Sequence, residues 1–106
     1  MFARIVRFPL KPESTAKLAE TVEKSVVPLL RAHKGFLDQF MLVTDDGKSS
    51  YGISFWDSKE HAEAYNRSGY REVLKALDAV ISGPSQFQLC KVTNSTAHKI
   101  AHAKVA

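Results

Sequence analysis

Residues 50–65, with the sequence SYGISFWDSKEHAEAY, decide the fold, because they read as a strand that passes directly into a helix. Over residues 51–56 the side chains alternate between two faces, which is the period of a β-strand. Asp57 and Glu60 then have the spacing of a helix capping box, so the helix is predicted to start at Asp57 or Ser58. The stretch contains the only Trp, two of the three Tyr and one of the four His. We therefore expect the wall of any pocket to lie here.

Three more strands are predicted from alternating or continuous apolar patterns, over residues 2–8, 36–43 and 85–93. Residues 44–48, TDDGK, contain the Asp-Gly signal of a hairpin turn between the second and third strands. The second strand is apolar on both faces, and one of these faces is predicted to carry Phe36, Asp38, Phe40 and Leu42.

Two helical regions complete the pattern. The first is predicted to begin with Pro12 in its first turn, to be interrupted by Pro28 near Val27 and to end at a left-handed Gly35. The second is predicted to break at residues 66–69 and then to resume as a strongly amphipathic helix. Its apolar stripe consists of Tyr70, Val73, Leu74, Leu77 and Ile81.

The order strand, helix, strand, strand, helix, strand predicts an α+β, ferredoxin-like domain over residues 1–93, followed by a basic tail over residues 94–106. Its four strands form one antiparallel sheet with both helical regions on one face. A sheet of this kind is normally polar on its bare face, whereas here apolar residues occupy both faces. We therefore expect a homodimer with facing sheets. A loosely packed apolar surface on a monomer is the competing interpretation.

The overall composition narrows the range of partners. The formal charge is +4, and the 15 Lys and Arg are scattered among acidic residues, so neither nucleic acid nor a membrane is an expected partner. Arg4 interrupts the apolar N-terminus, so no signal peptide is expected. The single Cys90 cannot form an internal disulfide, which favours a reducing, cytoplasmic setting. His98 and His102 alone do not make a metal site, and no metal is predicted.

Residues 26–36, VVPLLRAHKGF, and residues 52–65, GISFWDSKEHAEAY, resemble corresponding passages of the antibiotic biosynthesis monooxygenase family. The resemblance covers roughly residues 2–93 and implies a dimeric α/β barrel. Some members of the family are cofactor-independent oxygenases of aromatic polyketides, and others degrade haem. The positions at which haem-degrading members carry Asn, Trp and His correspond here to Val6, Tyr65 and Lys75, so haem degradation is not expected.

The resemblance to the cofactor-free oxygenases implies a pocket between sheet and helices, in which side-chain donors stabilise a substrate anion that reacts with oxygen. The predicted catalytic residues are Tyr65, Trp56, Asn66 and Tyr70. The predicted substrate-binding residues are Tyr51, His33 and Arg7. The expected function is a monooxygenase that needs no cofactor and acts on a small aromatic or quinol-type substrate. The alternative is a non-catalytic dimer that binds a small hydrophobic ligand or serves a stress-related role.

Several of these residues also have structural interpretations. Trp56 is equally a packing anchor whose N–H meets a carbonyl. His33 complements the C-terminus of the first helix, although it could also act as a base. Arg4 and Arg7 are expected to pair with Asp38 or to bind an anion. Tyr65 and Tyr70 flank the helix break, and Tyr51 fits sheet or dimer packing. Cys90 is predicted to be a buried apolar filler, and His61 to be exposed.

Overall fold

The computed structural model describes residues 1–100 and contains one four-stranded sheet covered by helices on one face. The strands are β1 (Phe2–Pro9), β2 (Phe36–Val43), β3 (Ser49–Trp56) and β4 (Gln86–Lys91). The helices are α1 (Thr15–Thr21), α2 (Val27–Arg31), α3 (Lys59–Ser68) and α4 (Tyr70–Leu77), and a π-helical segment (Val22–Val26) joins α1 to α2. All strand pairs are antiparallel, in the order β2-β3-β1-β4. The predicted ferredoxin-like α+β fold is confirmed.

The core lies between one face of the sheet and the helices. On β1, Phe2, Val6 and Phe8 alternate with residues of the opposite face, and their β3 partners on the core face are Trp56, Gly52 and Ser50. The side chains most completely enclosed in this core are Trp56, Leu18, Leu77, Val80 and Ser50.

The first helical region begins later than predicted, but it is interrupted near Pro28 as predicted. Pro12 lies in a turn before the helix, and the next residue, Glu13, has a φ of 57°, which the start of a helix cannot accommodate. The helix therefore begins at Thr15. The predicted interruption near Pro28 is confirmed, because the π-helical segment ends at Val26 and Pro28 lies in the first turn of α2. Gly35 has the predicted left-handed conformation, with a φ of 88°, but α2 ends earlier, at Arg31 with Ala32 as its C-cap, so Gly35 is not the residue that ends the helix.

The second helical region ends earlier than predicted, and the break within it is shorter than predicted. Ser58 is the N-cap of α3, and its hydroxyl accepts a hydrogen bond from the His61 amide. Asp57 instead contacts the His61 ring, at 2.6 Å, so its predicted capping-box role was wrong. The predicted break is confined to Gly69, and α4 ends at Leu77 rather than Ile81, because Ile81 forms a β-bridge to Leu10.

A β-bulge in β2 corrects the predicted face of one residue. Phe36 pairs with Trp56, whereas Asp38 pairs with the adjacent Phe55, so the register shifts at Leu37. Because the bulge inserts one residue, Phe36 lies on the core face and not with the residues that follow it. Its ring packs edge-on against Trp56, with 5.6 Å between the ring centroids.

The other face of the sheet, which we call the open face, carries apolar side chains that no helix covers. Phe40 is 55% exposed and Leu42 is 50% exposed. Four further residues of this face lie on the neighbouring strands: Tyr51, Ile53 and Phe55 on β3 and Ile5 on β1. The two-faced apolar character expected from the sequence is therefore present.

The part of the tail that the structure describes, residues 94–100, contains no helix or strand. The Ser95 hydroxyl accepts hydrogen bonds from the amides of Ala97 and His98. The His98 ring contacts the Asp38 carboxylate on the open face. The partner of Asp38 is therefore His98 of the tail. The expected ion pair of Asp38 with Arg4 or Arg7 was wrong. His102 lies outside the described residues.

Within residues 1–100, no helix is long and apolar enough to cross a bilayer.

Candidate functional site

A narrow cavity lies between the core face of the sheet and the helices. Its walls are mostly apolar, and the polar side chains among them are Arg4, Gln39, Ser54, Tyr65 and Tyr70. The cavity has a volume of only about 30 Å³. That space holds about two water molecules. A ring-sized ligand must therefore displace side chains, and the flexible Met41 in the wall is suited to such movement.

Among residues 1–100, Arg4 is the one charged side chain in the cavity wall. Strand β1 places it on the core face, where it pairs with Ser54 on β3 and Leu89 on β4. It is only 3% exposed. No carboxylate within residues 1–100 forms an ion pair with it. A buried cation without an opposite charge is costly in a folded protein, which makes this position unusual.

Asn66 and three aromatic rings hold the Arg4 guanidinium in place. The Asn66 side-chain oxygen accepts hydrogen bonds from Nε at 3.2 Å and from Nη2 at 2.8 Å. The Arg4 Cζ atom lies 3.9 Å from the Tyr70 ring centroid, 4.7 Å from that of Phe87 and 5.3 Å from that of Tyr65. Such cation–π contacts offset part of the lost hydration. Burial still lowers the pKa of Arg4 from its ordinary value, although the nearby Tyr65 and Tyr70 hydroxyls oppose that shift.

Tyr65 is the buried phenol of the site. Its ring stacks on Trp56 with 5.0 Å between centroids and meets the edge of His33 at 5.3 Å. Within residues 1–100 its hydroxyl makes no hydrogen bond to another protein group. Burial raises the pKa of Tyr65 to about 12, against a smaller opposing effect of Arg4. Its hydroxyl therefore stays protonated at neutral pH and can donate to a ligand.

Tyr70 opens α4 directly after the helix break. Its hydroxyl lies 2.6 Å from the Ser85 hydroxyl, so its ring orientation is fixed from the loop before β4. The position at the break is what allows one ring to come from the end of α3 and another from the start of α4. Tyr65, Asn66 and Tyr70, all predicted catalytic residues, are thus brought together around Arg4.

Trp56 lies outside the cavity and supports the site by packing against Tyr65. It is completely buried, and its Nε1–H donates to the Ser54 hydroxyl at 2.9 Å rather than to a carbonyl. It does not line the cavity. Its contact with the site is the stack on Tyr65, which is a positioning contact.

The three predicted substrate-binding residues do not join this cavity. His33 lies behind Tyr65, at its ring edge. Tyr51 and Arg7 pair with each other across β1 and β3 on the open face. Arg7 is exposed and donates a hydrogen bond to the Ser49 hydroxyl at 3.1 Å. A ligand that contacts Tyr51 or Arg7 would therefore bind on the open face and not in the cavity.

The central position of Arg4 was missed in the sequence, where ion pairing was the expected role. The signal was nevertheless present, because alternation places Arg4 on the same face as Phe2, Val6 and Phe8. A charge on the apolar face of a strand is either paired or functional. Its partner Asn66 lies 62 residues away, and such a contact cannot be read from local patterns.

The residues that the structure describes contain no group of three or more His, Cys, Asp or Glu side chains arranged to hold a metal ion. Cys90 is partly buried.

The fold and the cavity together define a class: a ferredoxin-like α+β protein with a largely apolar cavity between sheet and helices. The sequence model of the antibiotic biosynthesis monooxygenase family matches residues 1–77. This match covers more than half of the chain, so the chain belongs to the antibiotic biosynthesis monooxygenase family. No match was found among curated protein sequences.

Solved structures of other proteins have a similar fold. A protein of unknown function from Nitrosomonas europaea, NE2512, is 21% identical with a TM-score of 0.72, covering 96% of this chain and 95% of its own. The monooxygenase from the ActVA-Orf6 gene of Streptomyces coelicolor, in complex with nanaomycin D, is 23% identical with a TM-score of 0.73, covering 89% and 88%. A variant of SnoaB, a cofactor-independent oxygenase from Streptomyces nogalater, is 17% identical with a TM-score of 0.69, covering 92% and 97%.

Proposed function

We propose that the protein is a cofactor-independent monooxygenase that acts on a small aromatic or quinol-type substrate. The observation that carries the proposal is the convergence of Arg4, Tyr65 and Tyr70 on one cavity with otherwise mostly apolar walls. Apolar walls suit an aromatic ring, and fixed donors suit an anion that forms on it. Family membership and the two oxygenases of similar fold support the same reaction class.

The proposed chemistry needs only the substrate and oxygen. A phenol or quinol loses its hydroxyl proton to a water molecule, and the resulting anion is electron-rich enough to react with oxygen directly. When a ring methylene becomes a carbonyl, CH₂ and O₂ give C=O and H₂O, and the substrate supplies all four electrons. The buried Arg4 cation stabilises the anion more strongly than it would in water, because the surroundings have a low dielectric constant.

The neighbouring side chains take distinct roles in this proposal. The Tyr65 hydroxyl donates to a substrate oxygen, because it has no hydrogen bond to protein within residues 1–100. Tyr70 forms part of the wall and lies over the guanidinium. Asn66 positions Arg4, and Trp56 positions Tyr65.

The alternative is a binding protein without catalysis, and one observation favours it. The cavity wall within the described residues contains no carboxylate or imidazole. No wall side chain of the usual kind is therefore present to accept a proton near neutral pH. A protein of this type would bind an aromatic ligand and release it unchanged.

Oxygen uptake separates the two functions. Purified protein, dialysed against chelator and free of flavin, would be mixed with a panel of anthrones and hydroxynaphthalenes in an oxygen electrode. We expect uptake above the spontaneous rate with at least one compound, and a fall of tenfold or more in Arg4→Met. Arg7→Met, which changes the same residue type on the opposite face, is the matched control and should retain the rate. Binding without uptake across the panel would favour the ligand-binding alternative.

We also propose that the protein is a homodimer in which two open faces pack together. The half-exposed Phe40 and Leu42 are the supporting observation. Phe40 already packs edge-on against Phe55 with 5.8 Å between ring centroids, so an aromatic patch is available for a second copy.

A further inference from the structure

We propose that the cavity takes an aromatic acid, whose carboxylate binds to Arg4 and whose ring lies against the surrounding aromatic side chains. This inference rests on the proposed function, since it names the substrate class of the same site. The features that carry it are the burial of Arg4, the absence of a carboxylate partner within residues 1–100 and the way Asn66 holds the guanidinium.

The hydrogen bonds of Asn66 use one edge of the guanidinium, and the Tyr70 hydroxyl is the other polar group beside it. A guanidinium has two edges, each of which presents a pair of parallel N–H groups. The Asn66 oxygen accepts from Nε and Nη2 and thereby occupies the edge formed by those two atoms. The edge formed by Nη1 and Nη2 matches the two oxygens of a carboxylate. An amide oxygen supplies no charge, so Asn66 orients Arg4 without neutralising it.

The charge balance of the site points to an anionic ligand. Arg4 is 3% exposed, and apart from the uncharged Asn66 amide the groups around its guanidinium are the rings of Tyr70, Phe87 and Tyr65. Rings compensate only part of the hydration that a buried cation loses. A carboxylate supplies the missing charge and gains hydrogen bonds that are stronger than those between neutral groups.

A second buried group indicates what else the ligand carries. The Tyr65 hydroxyl lacks a protein partner within residues 1–100, although Tyr65 is only 3% exposed and lines the same cavity. No side-chain oxygen among residues 1–100 is both buried and unsatisfied, so this hydroxyl is open to the cavity and free to donate. A hydroxyl or carbonyl oxygen on the ring of the ligand would accept this hydrogen bond. The substrate class is therefore a hydroxylated or oxo-substituted aromatic acid.

The direct test compares an acid with its neutral counterpart. We would measure the affinities of 1-hydroxy-2-naphthoate and 1-hydroxy-2-naphthamide by calorimetry at pH 8. The wild-type protein should bind the acid at least tenfold more tightly than the amide. Arg4→Met, which keeps an unbranched side chain without the charge, should abolish that preference. Arg7→Met should leave it unchanged, because Arg7 lies on the open face.

Three results would overturn the inference: equal affinities in the wild type, no detectable binding of either compound, or a preference that survives in Arg4→Met. If Arg4→Met does not fold, Arg4→Lys replaces it. That variant keeps the charge but loses the paired N–H edge, and its preference for the acid should fall severalfold. An unchanged preference in Arg4→Lys would also count against a paired carboxylate contact.

The test requires no turnover, so it is separate from the proposed function. Arg4-dependent binding of the acid without oxygen uptake would support this inference and contradict the monooxygenase. Arg4-dependent oxygen uptake with neutral hydroxynaphthalenes, together with equal affinities for the acid and the amide, would support the monooxygenase and contradict this inference.

Discussion

Arg4 lies on β1 between Phe2 and Val6, where an apolar side chain would satisfy the core without a ligand. Its position could be predicted from alternation, because every second residue of a strand shares a face. Its environment could not be predicted, since Asn66, Tyr70 and Phe87 reach it from distant parts of the chain. At the residue scale the sequence therefore shows that a charge enters the core, and the structure shows which groups surround it.

Tyr65 gives a prediction about alkaline stability. Its pKa is about 12 in the folded protein, against an ordinary value of 10.0. Between these values the unfolded chain has released the proton and the folded chain has not, so the stability contribution is complete below pH 10 and is lost as the pH rises to 12. Tyr65→Phe removes this contribution. We expect the stability difference between wild type and Tyr65→Phe to change by about 2–3 kcal/mol over that range.

Denaturant unfolding of both proteins at intervals between pH 7 and pH 12 measures this difference. Below pH 9 the difference should be constant, which serves as the internal control for the loss of the hydroxyl itself. A difference that stays constant through pH 12 would show that Tyr65 titrates as it does in the unfolded chain.

Gly69 separates α3 from α4, and the packing around it leaves no room for a side chain. A Cβ atom there would lie 2.8 Å from Cδ1 of Tyr65 and 2.9 Å from Cε1 of His33. The backbone itself does not require glycine, since its φ is −95°. The close approach of the His33 ring therefore explains the glycine, and it keeps the edge of His33 on Tyr65.

Gly69→Ala is predicted to destabilise the protein by about 1–3 kcal/mol through overpacking, although Gly→Ala inside a helix ordinarily stabilises by up to about 1 kcal/mol. Chemical denaturation gives the sign directly. The double variant Gly69→Ala with His33→Ala is the control, because removal of the ring should recover much of the loss caused by the alanine. A stabilised single variant would mean that His33 moves aside at little cost.

The elements show where sequence patterns succeed and where they stop. Local sequence signals predicted these features correctly. Periodicity predicted the four strands, and the properties of proline and glycine predicted the interruption near Pro28 and the left-handed conformation of Gly35. The bulge at Leu37 was missed, since none of its neighbours in β2 is a glycine or proline. The end of α4 was placed too late because Ile81 continues the apolar stripe, yet it pairs with Leu10 from the other end of the chain.

At the scale of the whole molecule, the main feature is the open face, whose apolar side chains no helix covers. Its apolar residues were visible in the sequence as a second apolar face on β2. The tail was not predictable, and it reaches this face through the contact between His98 and Asp38. The resemblance in residues 52–65 indicated the family, and the match over residues 1–77 establishes it.

The proposed dimer predicts the effect of charge on this face. Phe40→Lys and Leu42→Lys should each yield monomers, because a desolvated lysine opposes the packing of two open faces. Sedimentation velocity at micromolar concentration would show a dimer for the wild type and a monomer for the variants. Lys17→Glu, on the exposed side of α1, is the control for a change of charge elsewhere. A monomeric wild type would contradict the proposal.

The central claim is that the functional site is the cavity around Arg4, and a crystal structure with 1-hydroxy-2-naphthoate tests it most directly. We predict that the ring displaces Met41, that the carboxylate receives two N–H groups of Arg4 and that the Tyr65 hydroxyl contacts the ligand. A ligand bound on the open face beside Tyr51 and Arg7, with the cavity unchanged, would contradict the claim.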